Sequence, residues 1–217
     1  HHFLKNVLRI KVNDSITIFD GKTGEWRSQV ISINRNNTVL SIKEKIYDFI
    51  PTSDLWLIFS PIKQYRMNIA IQKATELGIS KAIPCLTKYT DIRTLNIKNL
   101  YFNAIEAAEQ SKRLDVPKIE KPIKLEELLS SWPEDRNLLF CNEKLKSNTN
   151  LIDLFKSKDN YNKKWAVLVG PEGGFSESEN LLINNIKNIF PFSLGERVLR
   201  SDTAITVSLF CVQQLIR

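Results

Sequence analysis

Two short apolar runs, "LWLIFS" at 55–60 and "WAVLVG" at 165–170, constrain the fold more than any other feature of this chain. A strand that is apolar at consecutive positions has no face to offer water, so it must be covered on both sides. The text between and after these runs is helical. Met67, Ala70, Ile71, Ala74 and Leu77 recur at helical spacing, with Gly78 as a stop. Then follow "AIPCL", a helix around 101–113, "NLLFC" at 137–141, a helix over 177–190, a short strand in "PFSLG" and a last helix over about 203–216. Strands alternating with helices predict an α/β unit with a mostly parallel sheet.

The first fifty residues read differently. "VLRIKV", "SITIFD", "WRSQVISI" and "TVLSIKEKI" are strand-like and separated by turn signals at Asn13-Asp14, Asp20-Gly21 and Asn36-Asn37. Val30, Ile31 and Ile33 with Val39, Leu40 and Ile42 supply one buried face. The expectation is a small β-barrel over 1–53, too short to be robust alone, joined at Pro51–Asp54 to an α/β domain over 54–217. The lysine- and asparagine-rich stretch 142–164 reads as a solvated connection.

A net charge of +7 over 217 residues suits an RNA partner, because each cation near a phosphate releases a counterion; a plain lysine-rich surface gives the same number. No apolar run approaches the roughly 20 residues that cross a bilayer, and no signal-peptide pattern opens the chain. Cys85, Cys141 and Cys211 are odd in number and far apart. They fit reduced thiols of a cytoplasmic protein and spell out neither a disulfide set nor a metal site. The opening "HHFLKNVLR" reads as native sequence, with room for a missing upstream segment.

Two loops carry the chemistry. "GPEGG" at 170–174 follows a buried strand and precedes a helix whose start is marked by a Ser176–Glu179 capping box. Ligands of open α/β sheets bind at such carboxyl ends, and glycines there let the backbone come close to a ligand without Cβ atoms in the way. Neither glycine-rich phosphate motif is present, and Glu172 would repel an anion. The loop suits a neutral or zwitterionic ligand with a cationic centre, or else is a tight turn without a ligand. "LGERVLRSDTAI" at 194–205 turns at Gly195 into a helix that Ser201 or Asp202 can cap. Arg197 and Arg200 stand where the helix dipole disfavours cations, which points to gripping a phosphate or a developing anion, or to a pairing of Arg200 with Glu172 or Glu196. The helices "QKATELGI" and "EAAEQSKR" carry polar stripes that read as solvated faces, although Lys63, Arg66, Lys73, Lys112 and Arg113 could form a basic strip beside RNA.

Taken in order, "QKATELGI", "EAAEQSKR…VPKI", "VGPEGGFS" and "LGERVLRSDTA" resemble the signatures of the ribosomal small subunit methyltransferase E family (RsmE), and the resemblance spans nearly the whole chain. It implies a SPOUT-class α/β methyltransferase domain with a C-terminal trefoil knot, preceded by a PUA-like β-barrel, and a homodimer. It implies transfer of a methyl group from S-adenosyl-L-methionine to N3 of a uridine in 16S ribosomal RNA of the 30S subunit. The residues matching the family's cofactor loops are Gly170, Pro171, Glu172 and Gly173, then Leu194, Gly195, Val198, Leu199 and Arg200, with Cys141 to Glu143 as a third wall. Arg200 is the expected clamp on the uracil anion, with Glu172 or water accepting the proton. Lys5, Arg9 and Lys11, with Arg66, Lys73 and Arg113, are the expected RNA contacts. "TKYTDIR" at 87–93 departs from the family's more usual Glu-Arg-Ser pattern. The alternatives are another SPOUT RNA methyltransferase acting on a ribose or a tRNA base, a non-catalytic RNA-binding assembly factor, and a kinase-like nucleotide site.

Overall fold

The computed structural model describes residues 1–142 and 164–216, which divide into two compact units. One comprises 1–51 with 112–115; the other comprises 52–111 with the chain from 116 onward. Residues 143–163 of the expected connection lie outside the described residues.

In the first unit β1 (Ser15–Phe19), β2 (Gly24–Ile33) and β3 (Thr38–Asp48) form an antiparallel meander with β2 in the centre. The β-rich module expected from the sequence is therefore this three-stranded sheet. Asp20 closes the first turn by accepting the backbone N–H groups of Lys22 and Thr23, and these bonds hold its carboxyl down at about 2. "VLRIKV" is not a strand. Residues Phe3–Val7 make one π-type helical turn, with the Leu8 and Ile10 N–H groups bonded back to Phe3 and Leu4, and Arg9 has φ +51°. Phe3, Val7, Leu8 and Val12 stay exposed, so the apolar alternation had no face to bury.

In the second unit β4 (Leu55–Phe59), β5 (Lys81–Leu86), β6 (Lys118–Ile119), β8 (Arg136–Cys141), β9 (Lys164–Val169) and β10 (Ile189–Phe192) lie in the order β10-β8-β9-β4-β5-β6, and β7 (Ile123–Lys124) pairs with β5. Every pairing is parallel. The central strands are covered on both faces. Leu55, Leu57 and Phe59 of β4, with Trp165 and Val167 of β9, pack against α1 (Gln64–Glu76), α2 (Ile97–Gln110) and α5 (Ser201–Leu215). Ile58, Ala166 and Leu168 on the other side pack against α3 (Leu125–Ser130) and α4 (Glu177–Asn184).

Two boundaries differ from the sequence expectation. The helix expected over 177–190 stops at Asn184, and the strand expected in "PFSLG" is Ile189–Phe192. The Asn188 carbonyl accepts the Leu138 N–H, which draws the chain out of the helix and along the edge of β8. Pro191 is tolerated there because, among the described residues, β10 is an edge strand with no partner beyond it.

The amino ends of β4, β8 and β9 are clamped by one arginine. Arg136, whose side chain is 2% exposed, donates to Asp54 Oδ2 at 2.6 Å and to the Asp54 and Trp165 carbonyls at 2.9 Å each. Its guanidinium lies 3.6 Å from the Trp56 ring centroid, and Lys81 Nζ is 3.9 Å from the same centroid. Burial raises the pKa of Asp54, but the Arg136 hydrogen bond and charge outweigh it and hold the carboxyl below its ordinary value. That contribution is present above the unfolded value of 3.8 and is lost as pH falls through the lower folded value. Asp54→Asn leaves the buried Arg136 charge uncompensated and is expected to cost roughly 3 kcal/mol at neutral pH. Urea unfolding checks this, and the gap between variant and wild type should narrow at about pH 3.

Candidate functional site

The parallel sheet gathers the loops after β4, β5, β8, β9 and β10 at one edge, and the candidate site is built from them. In the loop after β9 the glycines are demanded by the protein's own packing. A Cβ at Gly170 would fall 2.5 Å from the Phe175 ring, which itself packs edge-on against Phe140 with centroids 5.3 Å apart. A Cβ at Gly173 would lie 3.1 Å from Tyr89 Cβ. Gly174 has φ +69° and donates its N–H to the Pro171 carbonyl, closing the turn.

The Ser176–Glu179 capping box is present. Glu179 does more than cap. Its carboxylate is buried and accepts the Ser176 N–H at 2.8 Å, the Ser176 hydroxyl at 2.9 Å and, from the loop after β5, the Lys88 N–H at 2.7 Å. One buried charge thus ties two loops together. Burial, with the Glu179 charge adding to it, pushes the Cys85 thiol up to about 12.

Glu172 pairs with Arg66 Nη1 at 2.5 Å, so α1 holds the tip of the loop after β9. This settles the partner of Glu172 as Arg66 rather than Arg200. The Arg66 Nε also donates to the Tyr65 hydroxyl at 2.8 Å. In the second loop Gly195 has φ +113° and open space where a side chain would stand. Arg200, not Ser201 or Asp202, is the N-cap residue of α5, and no side chain caps this helix. Ser201 instead donates its hydroxyl to the Gly170 carbonyl at 3.3 Å, joining the two loops. Arg200 is exposed; its carbonyl accepts the Ala204 N–H, and its side chain has no hydrogen bond or ion pair among the described residues.

The two loops enclose a cavity of about 370 Å³, within the size range of small-molecule sites. Of the residues matched to cofactor loops, Gly170, Pro171, Glu172, Leu194, Gly195, Val198, Leu199 and Arg200 line it, whereas Gly173 does not, because it faces Tyr89. Cys141 and Asn142 form part of the wall; Glu143 lies outside the described residues. The Cys141 thiol is 3.0 Å from the Ser208 hydroxyl, and burial pushes it up to about 12 against that hydrogen bond, so it is no nucleophile at neutral pH.

Three residues of the expected basic strip have acidic partners within the protein. Arg66 belongs to the cavity wall. Arg113 is bound through two nitrogens to Asp115 at 2.7 and 3.2 Å with its side chain only 9% exposed, and Lys73 pairs with Glu76 at 2.9 Å. Lys5, Arg9 and Lys11 are exposed in the first unit, with Lys5 Nζ donating to the Asn34 carbonyl at 3.3 Å. Arg66, expected from the sequence as an RNA contact, also lines the cavity, and Asn180 and Ser193 line it without having been expected; nothing local announced Arg66 there, since its partner Glu172 lies far along the chain.

A family model described as an RNA methyltransferase domain matches residues 50–213, and one described as an RNA methyltransferase PUA domain matches residues 2–43. Ribosomal RNA small subunit methyltransferase E of Rickettsia conorii is 37% identical over 99% of this chain and 86% of its own length. The protein of the same name from Synechocystis is 30% identical, covering 99% and 71%. The crystal structure of a ribosomal RNA small subunit methyltransferase E from Neisseria gonorrhoeae bound to S-adenosyl methionine superposes with a TM-score of 0.85 at 26% identity, covering 99% of this chain and 88% of that one.

Glu179→Gln puts an NH₂ group against backbone donors. It is expected to cost about 1–3 kcal/mol and to speed hydrogen exchange at the Lys88 amide, read by urea titration and NMR. Iodoacetamide at about pH 8 should leave the fully buried Cys85 unmodified in the folded protein and label it after unfolding, as mass spectrometry of peptides would show.

Proposed function

The chain belongs to the ribosomal RNA small subunit methyltransferase E family, and we propose that it methylates N3 of a uridine in 16S ribosomal RNA, using S-adenosyl-L-methionine. The observation that carries this reading is Arg200, whose side chain is unpaired among the described residues, on the wall of a cavity built from two glycine-bearing loops.

The residues present suit the cofactor. Leu194, Val198 and Leu199 offer apolar surface to an adenosine, and Val198 is 77% exposed, with area still to bury. The open space at Gly195 admits a ligand against the backbone. The Glu172 and Glu196 carboxylates on the wall match a cationic centre and not a polyphosphate. When bound, S-adenosylmethionine supplies an electrophilic methyl group on a sulfonium.

Positioning supplies much of the remaining work. Uracil N3 carries a proton at neutral pH, and negative charge develops on the base as that proton leaves. The Arg200 guanidinium, without a side-chain partner among the described residues, meets that charge as a preorganised electrostatic clamp. Glu172 is already held by Arg66, so its part is to fix the loop, and the proton passes to water.

Several finer features belong to the same reading. Exposed Val207 and Phe210 on α5 give apolar surface that a second copy would cover in a homodimer. From edge strand β10 the chain comes back to pack α5 on α1, a path that supports a C-terminal trefoil knot. The PUA unit, with Lys5, Arg9 and Lys11, takes phosphate contacts that fix register without reading sequence. No helix among the described residues is long and apolar enough to cross a membrane, and the site of action is the cytoplasm, with the 30S subunit.

Labelled methyl transfer to 30S subunits and to naked 16S RNA, followed by mapping of the modified base, tests the function; label in neither substrate, or on a ribose, would overturn it. Arg200→Ala should lower kcat about 10²- to 10³-fold with cofactor affinity nearly unchanged by calorimetry. Loss of cofactor binding would make Arg200 a pocket residue instead.

A further inference from the structure

The segment after β5 presents a side chain that the mechanism above does not use. Thr87 and Thr90 close a tight turn, with the Thr87 N–H donating to Thr90 Oγ1 at 2.9 Å and the two hydroxyls 2.9 Å apart. Both threonines are buried, and the Lys88 N–H is fixed by the Glu179 carboxylate. Tyr89 therefore stands on a backbone held at three points. Its Cβ backs onto Gly173 so closely that a methyl group there would sit 3.1 Å away. The root of the side chain is locked against the tip of the cofactor loop, one residue from Glu172.

The rest of Tyr89 is not covered. The residue is 45% exposed, and Lys88 Nζ lies 5.6 Å from its ring centroid. An immobilised root with an exposed ring costs little entropy to use as a contact surface. Tyr65, the other exposed tyrosine near this loop, is engaged: its hydroxyl accepts from Arg66, whose guanidinium lies 5.5 Å from its ring centroid. An exposed aromatic ring with a lysine beside it is the combination that receives an unstacked base and its phosphate in single-stranded RNA recognition.

We propose that the Tyr89 ring is a stacking surface for an unpaired base of the RNA strand presented to the cavity, with Lys88 meeting an adjoining phosphate. This rests on the RNA methyltransferase reading and deepens it by naming a residue that holds the substrate strand. Base–aromatic stacking is worth about 1–3 kcal/mol by alanine substitution, which converts to a fivefold to hundredfold change in affinity.

The test compares Tyr89→Phe, Tyr89→Leu and Tyr89→Ala in the full-length protein. The readouts are Kd for a fluorescent single-stranded 16S RNA fragment, KM for 30S subunits and Kd for S-adenosylmethionine. Tyr89→Phe should bind RNA within about twofold of wild type. Tyr89→Leu, which keeps bulk against Gly173 but has no ring, should weaken RNA binding about fivefold or more with cofactor Kd unchanged. Wild-type RNA affinity in the leucine variant would overturn the proposal, as would equal losses of cofactor and RNA affinity, because Tyr89 would then only support the loop. The RNA-binding arm does not depend on turnover. Failure of the wild-type protein to transfer label would sink the methyltransferase reading, and the binding comparison would still decide the role of Tyr89.

Discussion

Strands β4 and β9 are far apart in the chain and lie side by side in the middle of the sheet, paired from Leu55–Trp165 to Phe59–Val169. Both are buried on both faces, so neither is stable without the other and without helices above and below. Their parallel pairing puts the ends of both strands on the same edge. There α1, entered from β4, can reach the loop that leaves β9, and the Arg66–Glu172 ion pair becomes possible. At the opposite edge Arg136 gathers Asp54 and the Trp165 carbonyl and covers Trp56. One edge of the sheet is thus closed by buried interactions, and the other is left to loops and a cavity.

What the sequence made legible was local or periodic. The continuous apolar runs gave a parallel sheet, and the Ser176–Glu179 spacing gave a capping box. The glycine of each loop marked a cavity wall at Gly170 and Gly195. Most of what the sequence hid lay in interactions between distant residues. Nothing near Glu172 announces Arg66, and nothing near Glu179 announces the Lys88 amide. Arg113 looked like a free cation because its neighbour Asp115 was not weighed against the folded turn that brings them together. "VLRIKV" misled because apolar alternation predicts a strand only where a surface waits to cover it, and that stretch stays exposed.

The glycines of 170–174 also change meaning once side chains are placed. Sequence reasoning assigned them to close approach of backbone and ligand. In the structure Phe175 occupies the space at Gly170 and Tyr89 the space at Gly173, so the loop is small because its own neighbours are large. Gly195 alone fits the original reasoning, with positive φ and open space. The cavity therefore combines a rigid wall, fixed by packing and by the buried Glu179, with a more open wall at 194–200 that carries Val198 and Arg200.

The hydrogen bond from Ser201 to the Gly170 carbonyl joins these walls, and the residues that make the second wall follow those of the first in the chain. Chains are synthesised from the amino end and fold largely in that order. The sheet from β4 to β9 can form while 194–201 are still inside the ribosome that is making them, but the pocket cannot close until they emerge. A chain translated only as far as β9 therefore carries its scaffold without its cavity, and competence arrives only once 194–201 have followed.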